Sequence, residues 1–407
     1  MTATVVIGAG QAGAALAARL RALGHDGPLT LIGDEPAPPY QRPPLSKAYL
    51  LGDLARERLF LRPAEFYAEQ GIDLRTGVAV TDIDPQARRL RLADGSDLAY
   101  DRLALTTGGA PRRLPAAAGG DLAGVHVLRG IADADALGPA LVAGARMVVI
   151  GGGYVGLEVA AVAAGRGLDV TLIEAAPRIL QRVAAPETSD YFRNLHSARG
   201  VRVIEGAGGA RLVGAGRVEA AELADGTRIA ADVAVIGIGI APSVGLAAAA
   251  GLALDNGIAC DAEGRTTDPC IWAAGDCASF PVPGGRLRLE SVQNAIDMAE
   301  AVAANMLGAG RPYVPQPWFW SDQYDVKLQI AGLCGAHDRV VVRVAPDAGA
   351  EGARSHWYFA GPRLLAVDAM NDARAFMVAK RLLAEGRSPE PAAIADPATD
   401  LRVLLRA

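Results

Sequence analysis

The chain has 407 residues, 51% of them hydrophobic, enough for two or three domains each with its own core. A net charge of -5 and a pI near 5.7 lack the basic excess that a phosphate backbone selects, so nucleic acid drops out as a partner class. Glycine, at 48 residues, exceeds the average usage of roughly 7% without any low-complexity run, which assigns it to tight turns of an α/β protein.

Met1-Thr2-Ala3-Thr4 carries no positive leader, and the first basic residue is Arg19, so no secretory signal is read and a cytoplasmic location is expected. A strand at Thr4 to Ile7, a helix from Ala12 to Leu23 and a strand at Leu29 to Ile32 make a βαβ unit around Gly8-x-Gly10-x-x-Gly13. The first glycine permits the turn, the second lets backbone approach a diphosphate, and the third allows close helix-strand packing. The helix start at Gln11 and Ala12 offers free N-H groups and a partial positive charge to phosphates. Gly33 occupies the usual acidic position after the second strand, so Asp34 or Glu35 must hold the ribose.

A buried strand is predicted from Leu98 to Thr107, leaving through Gly108-Gly109-Ala110-Pro111. Its counterpart, Ala231 to Ile238, leaves through Gly239-Ile240-Ala241-Pro242. Between these exits lies a second βαβ unit: strand Met147 to Ile150, Gly151-x-Gly153-x-x-Gly156, helix Val155 to Arg166 entered at Tyr154, and strand Asp169 to Ile173. Residues 110-238 therefore read as a nucleotide-binding domain inserted into another formed by 1-109 and 239-315. Glu174 ends the second strand, where a carboxylate accepts from ribose hydroxyls and repels a 2'-phosphate. That favours NAD over NADP, although Arg178 and Arg182 keep NADP open.

Val233 to Leu254 carries no charge and is long enough to span a bilayer, but Gly237, Gly239, Pro242, Gly245 and Gly251 break it into a buried strand, a loop and a short helix. No membrane span is read. Cys260, Cys270, Cys277 and Cys334 have neither C-x-x-C nor zinc spacing and are expected to be reduced, buried and apolar, and no metal site is read. Gly275 and Asp276 make a turn at the end of a strand, where a carboxylate can bind the polyol chain of a flavin nucleotide. The next helix, Val292 to Met306, is capped by Ser291, and its dipole could stabilise negative charge on a flavin. Beyond Pro312 to Pro317, residues 316-407 read as an α+β domain: strands Lys327 to Ala331, Val340 to Val344, His356 to Ala360 and Arg363 to Val367, with a helix from Asp372 to Glu385.

Gly8 to Gly13, Tyr40-Gln41-Arg42-Pro43-Pro44-Leu45-Ser46-Lys47, Leu105-Thr106-Thr107-Gly108, Gly151 to Glu158, Gly275-Asp276 and Pro317-Trp318-Phe319-Trp320-Ser321-Asp322-Gln323-Tyr324 follow one another in an order that resembles the FAD-dependent ferredoxin reductases of the putidaredoxin reductase type. The resemblance covers essentially the whole chain. It implies two Rossmann-like domains arranged as in glutathione reductase plus the C-terminal α+β domain. It further implies Lys47 beside the flavin ring with Arg42 and Pro44 lining the same pocket, Glu158 facing the nicotinamide carboxamide, and Trp320 near the flavin edge where a partner docks. Thr107, Gly108, Gly239 and Val292 belong to the same expected cofactor lining.

Disulphide reductases of this broad fold carry cysteine about forty residues in, whereas this chain has Gln41-Arg42-Pro43-Pro44. The resemblance therefore implies hydride transfer from NADH to FAD and single-electron delivery to a [2Fe-2S] ferredoxin serving a cytochrome P450 or another oxygenase. The rival readings are reduction of a small acceptor or rubredoxin by the same flavin, and a redox-regulatory flavoprotein. A basic patch of Arg339, Arg343, Arg363, Lys380 and Arg381 is weighed evenly between ferredoxin docking and an ordinary solvated face.

Overall fold

The computed structural model describes residues 2-345 and 352-405. Contacts divide the chain into two compact units. One comprises Met1–Arg42, Ala55–Ala110 and Ile240–Pro317; the other comprises Pro43–Leu54, Pro111–Gly239 and Trp318–Ala407.

In the first unit, five short strands form a parallel sheet in the order Ile271–Ala273, Arg102–Leu105, Thr4–Ile7, Leu29–Ile32, Ile72–Arg75. Thr4–Ile7 and Leu29–Ile32 are buried along their whole length, because helices cover parallel sheets on both faces and select continuous runs of Val, Ile and Leu. Helices Gln11–Ala22 and Val292–Met306 pack against each other beside this sheet. The predicted strand Leu98 to Thr107 is divided in two. Asp97–Ala99 ends a small antiparallel sheet, and Arg102–Leu105 joins the parallel one. Asp101 sits at the break, where its carboxylate accepts from the Ala3 N-H at 2.7 Å, a polar anchor that alternating hydrophobicity does not reveal.

The second unit repeats the motif. Its parallel sheet runs Arg202–Ile204, Asp169–Ile173, Arg146–Ile150, Val233–Ile236, Val125–His126. Val233–Ile236 is shorter than the predicted Ala231 to Ile238. Helix Tyr154–Gly165 is apolar nearly all round and accordingly buried from Gly156 to Ala163.

An antiparallel sheet completes this unit in the order Trp318–Gln323, Val326–Gly332, Arg363–Met370, Arg354–Ala360, Arg339–Val344. Helix Ala373–Ala384 covers it, with the Asp372 side chain accepting from the Ala375 N-H. Leu157 and Phe192 share one core with Val326, Leu328 and Met370.

All four cysteines are free thiols, but only Cys260 and Cys277 are buried. Cys270 and Cys334 are partly exposed, which corrects the expectation that all four serve as core side chains. Among the described residues, no helix is long and apolar enough to cross a membrane.

Candidate functional site

The first glycine turn is built to bring backbone close to backbone. Gly8 has φ +108°, and a Cβ there would stand 2.2 Å from the Thr106 carbonyl oxygen; one on Gly13 would stand 2.0 Å from the Gly8 oxygen. Thr106 locks the turn by donating its hydroxyl to the carbonyls of Ile7 and Gly8, both at 2.9 Å. Gly10 differs. A Cβ on it would meet no protein atom within 4 Å, and it caps helix Gln11–Ala22 without any side chain satisfying the first N-H groups. Open space, a bare helix start and no side chain in the way fit a diphosphate.

The acidic residues around this turn settle into unequal places. Gly33 cannot carry a side chain, because its Cβ would stand 2.7 Å from the Ala9 methyl. Asp34 is exposed, whereas Glu35 pairs with the Arg42 guanidinium and accepts from the Tyr40 hydroxyl at 2.5 Å. Gly275, at φ +80°, approaches Ala12 so closely that a Cβ would stand 2.9 Å from the alanine methyl, which sets Asp276 beside the helix start. Thr107 donates to the Ser243 carbonyl at 2.7 Å, and Gly108 turns the chain at φ +66°. Ser291 accepts from the Asn294 N-H at 3.1 Å and so starts the helix at Val292 as expected. These residues can hold FAD.

In the second unit the corresponding positions are as tight: a Cβ on Gly151 (φ +110°) would stand 2.4 Å from the Gly237 carbonyl oxygen, and one on Gly156 would stand 2.1 Å from the Gly151 oxygen. Again the middle glycine, Gly153, faces open space at the start of the helix, beside Tyr154 and the exposed Val155. Glu174 does more than a ribose contact requires. Its two oxygens accept from the N-H groups of Gly152 at 2.6 Å and Ala176 at 2.7 Å, bracing the loop, and a carboxylate retains further lone pairs for hydroxyls. Arg178 is engaged by Ser189 at 2.5 Å, while exposed Arg182 lies beside Gly239. These residues can hold NADH.

Lys47 and Glu158 come together as an ion pair at 2.8 Å, with Glu158 only 3% exposed. Pro44 lies on the 3-10 turn Pro43–Ser46, and its carbonyl accepts from the Lys47 N-H at 3.0 Å. Two serines that sequence reasoning passed over complete the cluster: Ser46 donates to Glu158 Oε2 at 2.5 Å and Ser321 to Oε1 at 2.6 Å. Both lie inside motifs that were singled out for other members. Ser321 and Gln323 are fully buried polar residues two apart on one strand, and such spacing puts both on the core face.

Trp320, on the same strand, is half-buried and stacks on Trp318 at 5.5 Å, whose ring carries Lys380 Nζ at 4.9 Å. Of the predicted basic patch, Arg343 is structural, since its guanidinium donates to the carbonyls of Ile394, Asp396, Pro397 and Thr399. Arg381 is paired with Glu385 at 2.8 Å. Among the described residues, no group of His, Cys, Asp and Glu is placed to hold a metal ion.

Residues 2–299 match the family model for pyridine nucleotide-disulphide oxidoreductases, and residues 318–405 match one described as reductase C-terminal. The chain is 45% identical to rhodocoxin reductase of Rhodococcus erythropolis, over 98% of this chain and 94% of that protein. It is 41% identical to putidaredoxin reductase of Pseudomonas putida, over 99% and 96%. The crystal structure of a covalent putidaredoxin reductase-putidaredoxin complex superposes with a TM-score of 0.94 at 40% identity, over 100% of this chain and 98% of that one.

Proposed function

The chain belongs to the pyridine nucleotide-disulphide oxidoreductase family, and we propose that within it the two glycine turns divide one reaction. It is an FAD-dependent ferredoxin-NAD(+) reductase, an oxidoreductase that passes electrons from NADH to a [2Fe-2S] ferredoxin in a cytochrome P450 or oxygenase system. Bound FAD supplies the conversion of a hydride into two single electrons. The balance is NADH plus two oxidised ferredoxins giving NAD(+), one proton and two reduced ferredoxins.

In this reading, residues 1-109 and 239-315 hold FAD through Gly8, Gly10, Gly13 and Asp276, with Glu35 kept on the ribose side by Arg42 and Tyr40. Residues 110-238 hold NADH through Gly151, Gly153, Gly156 and Glu174. Lys47 and Glu158 orient the reacting rings and balance charge beside them, and residues 316-407 present Trp320 toward the ferredoxin. Cytoplasmic residence follows from the supply of NADH.

One observation carries the proposal most directly: where a thiol relay would stand, Tyr40 to Lys47 presents Arg42 and Lys47, and no cysteine precedes Cys260. That segment offers no thiol that could carry electrons away from bound FAD. Anaerobic stopped-flow mixing with NADH, followed by titration with purified [2Fe-2S] ferredoxins, tests this. Prompt flavin reduction with no electron delivery to any iron-sulfur protein would overturn it in favour of a small acceptor.

A further inference from the structure

Glu158 is the inner end of a hydrogen-bonded row that runs outward through the second unit. Ser321 Oγ lies 2.6 Å from Glu158 Oε1, Gln323 Nε2 lies 3.2 Å from Ser321 Oγ, His196 Nε2 lies 2.8 Å from Gln323 Oε1, and Tyr324 Oη lies 3.1 Å from His196 Nδ1. The polarity of this row is forced from one end. A carboxylate only accepts, so Ser321 spends its single proton on Glu158 and must accept from the amide nitrogen of Gln323. That turns the Gln323 oxygen toward His196, whose Nε2 must then carry the proton, leaving Nδ1 to accept from the Tyr324 phenol.

The outer end is held at a cost. Tyr324 has φ +55° at the two-residue turn between Trp318–Gln323 and Val326–Gly332, a position where hairpins favour glycine or asparagine. A left-handed tyrosine persists where its surroundings over-determine it. Here its ring lies 5.1 Å from the His196 ring and under the Arg199 guanidinium at 5.0 Å, and Arg199 is in turn paired with Asp325 at 2.8 Å. Burial lowers His196 to about 4, so the ring is neutral near pH 7, and burial pushes the Tyr324 phenol up, so it keeps its proton.

We propose that His196, Gln323 and Tyr324 are positioning residues for Glu158, a one-way row of donors that fixes Ser321 toward the carboxylate and thereby fixes the Lys47-Glu158 pair. The inference rests on the proposed function in one respect, that this pair acts on the nicotinamide and flavin.

Two measurements on the FAD-loaded protein test it. Nitrogen-15 NMR of the five histidines, with His196 assigned through His196→Gln, should find His196 neutral with its proton on Nε2 between pH 6 and 8. A proton on Nδ1, or a charged ring, in the wild-type protein overturns the proposal. In stopped flow, Gln323→Met should slow limiting flavin reduction about tenfold, the scale of one lost hydrogen bond to a charged cluster, with half-saturation by NADH changed less than twofold. Tyr324→Phe should slow it about two- to threefold and shift the His196 Nδ1 resonance toward that of an unbonded acceptor. If Glu158→Gln slows reduction but Gln323→Met does not, the row is not positioning and the proposed function stands. If the wild-type flavin is not reduced by NADH at all, the proposed function itself fails.

Discussion

The Lys47 ammonium and the Glu158 carboxylate meet at 2.8 Å, with their side chains 17% and 4% exposed. A pair so withdrawn from water is sensitive to the loss of either member. Lys47→Ala should destabilise the fold by about 3-5 kcal/mol, because Glu158 is left buried beside two serines alone, and should slow reduction by NADH at least tenfold. Adding Glu158→Ala should recover part of the lost stability. Urea titrations of both single variants and the double variant measure this, and strict additivity would argue against the coupling.

The two glycines of the first turn should fail in different ways. Gly8→Ala sets a methyl against the Thr106 carbonyl at φ +108° and should lower the melting temperature of apoprotein and holoprotein alike. Gly10→Ala adds a methyl where no protein atom lies within 4 Å, so the apoprotein should melt as before while FAD is lost on gel filtration. Retained flavin in Gly10→Ala would mean that the diphosphate lies elsewhere.

Glu174 should set the preference between NADH and NADPH. Glu174→Ala removes the repulsion of a 2'-phosphate while exposed Arg182 stays nearby, and should raise kcat/KM for NADPH relative to NADH about tenfold or more. Since the carboxylate also receives the N-H groups of Gly152 and Ala176, the variant should lose about 1-3 kcal/mol of stability. The ratio of the two kcat/KM values is the readout, and an unchanged ratio would place selectivity in other residues.

Acid should weaken the fold before the carboxylates at its surface titrate. Burial lowers His196 and His356 to about 4, so between the ordinary 6.5 and about 4 the unfolded chain takes up their protons first and stability falls with pH. Asp368 works in the opposite sense. Burial raises it to about 6, so the folded chain binds that proton first and gains as pH falls from about 6 toward 3.8. For these three groups, two losses against one gain leave a net loss of about 1.4 kcal/mol per pH unit between pH 6 and 4, and burial lowers His25 and His126 as well, which adds to the loss. Asp368→Asn should steepen that slope. Urea midpoints measured from pH 7 to 4.5 test it, and a flat profile would contradict it.

What the sequence revealed and what it hid divide along a physical line. The glycine turns were legible because their geometry is local. Even the odd Gly33 has a local reason: Ala9 fills the place that Gly152 leaves clear for Glu174 in the second copy. Contacts between distant segments were not legible. Ser46 and Ser321 acquire roles only when Pro43–Ser46 and Trp318–Gln323 meet at Glu158, and His196 only when Pro186–Ala198 reaches Gln323. The break at Asp101 and the partly exposed Cys270 and Cys334 were missed for the same reason, since side-chain anchors and burial depend on neighbours that spacing does not name.

The nesting of the two parallel sheets orders events during synthesis. Every strand of the second sheet lies between Val125 and Ile236, but the first sheet lacks an edge until Ile271–Ala273 emerges. On the ribosome, the sheet encoded in the middle of the chain is therefore complete before the one encoded at the beginning. Throughout that interval Leu103 and Leu105 belong to an edge strand, paired with Thr4–Ile7 on one side and open on the other to any extended chain. A chain cut short before residue 271 should aggregate and not survive as a smaller nucleotide-binding protein.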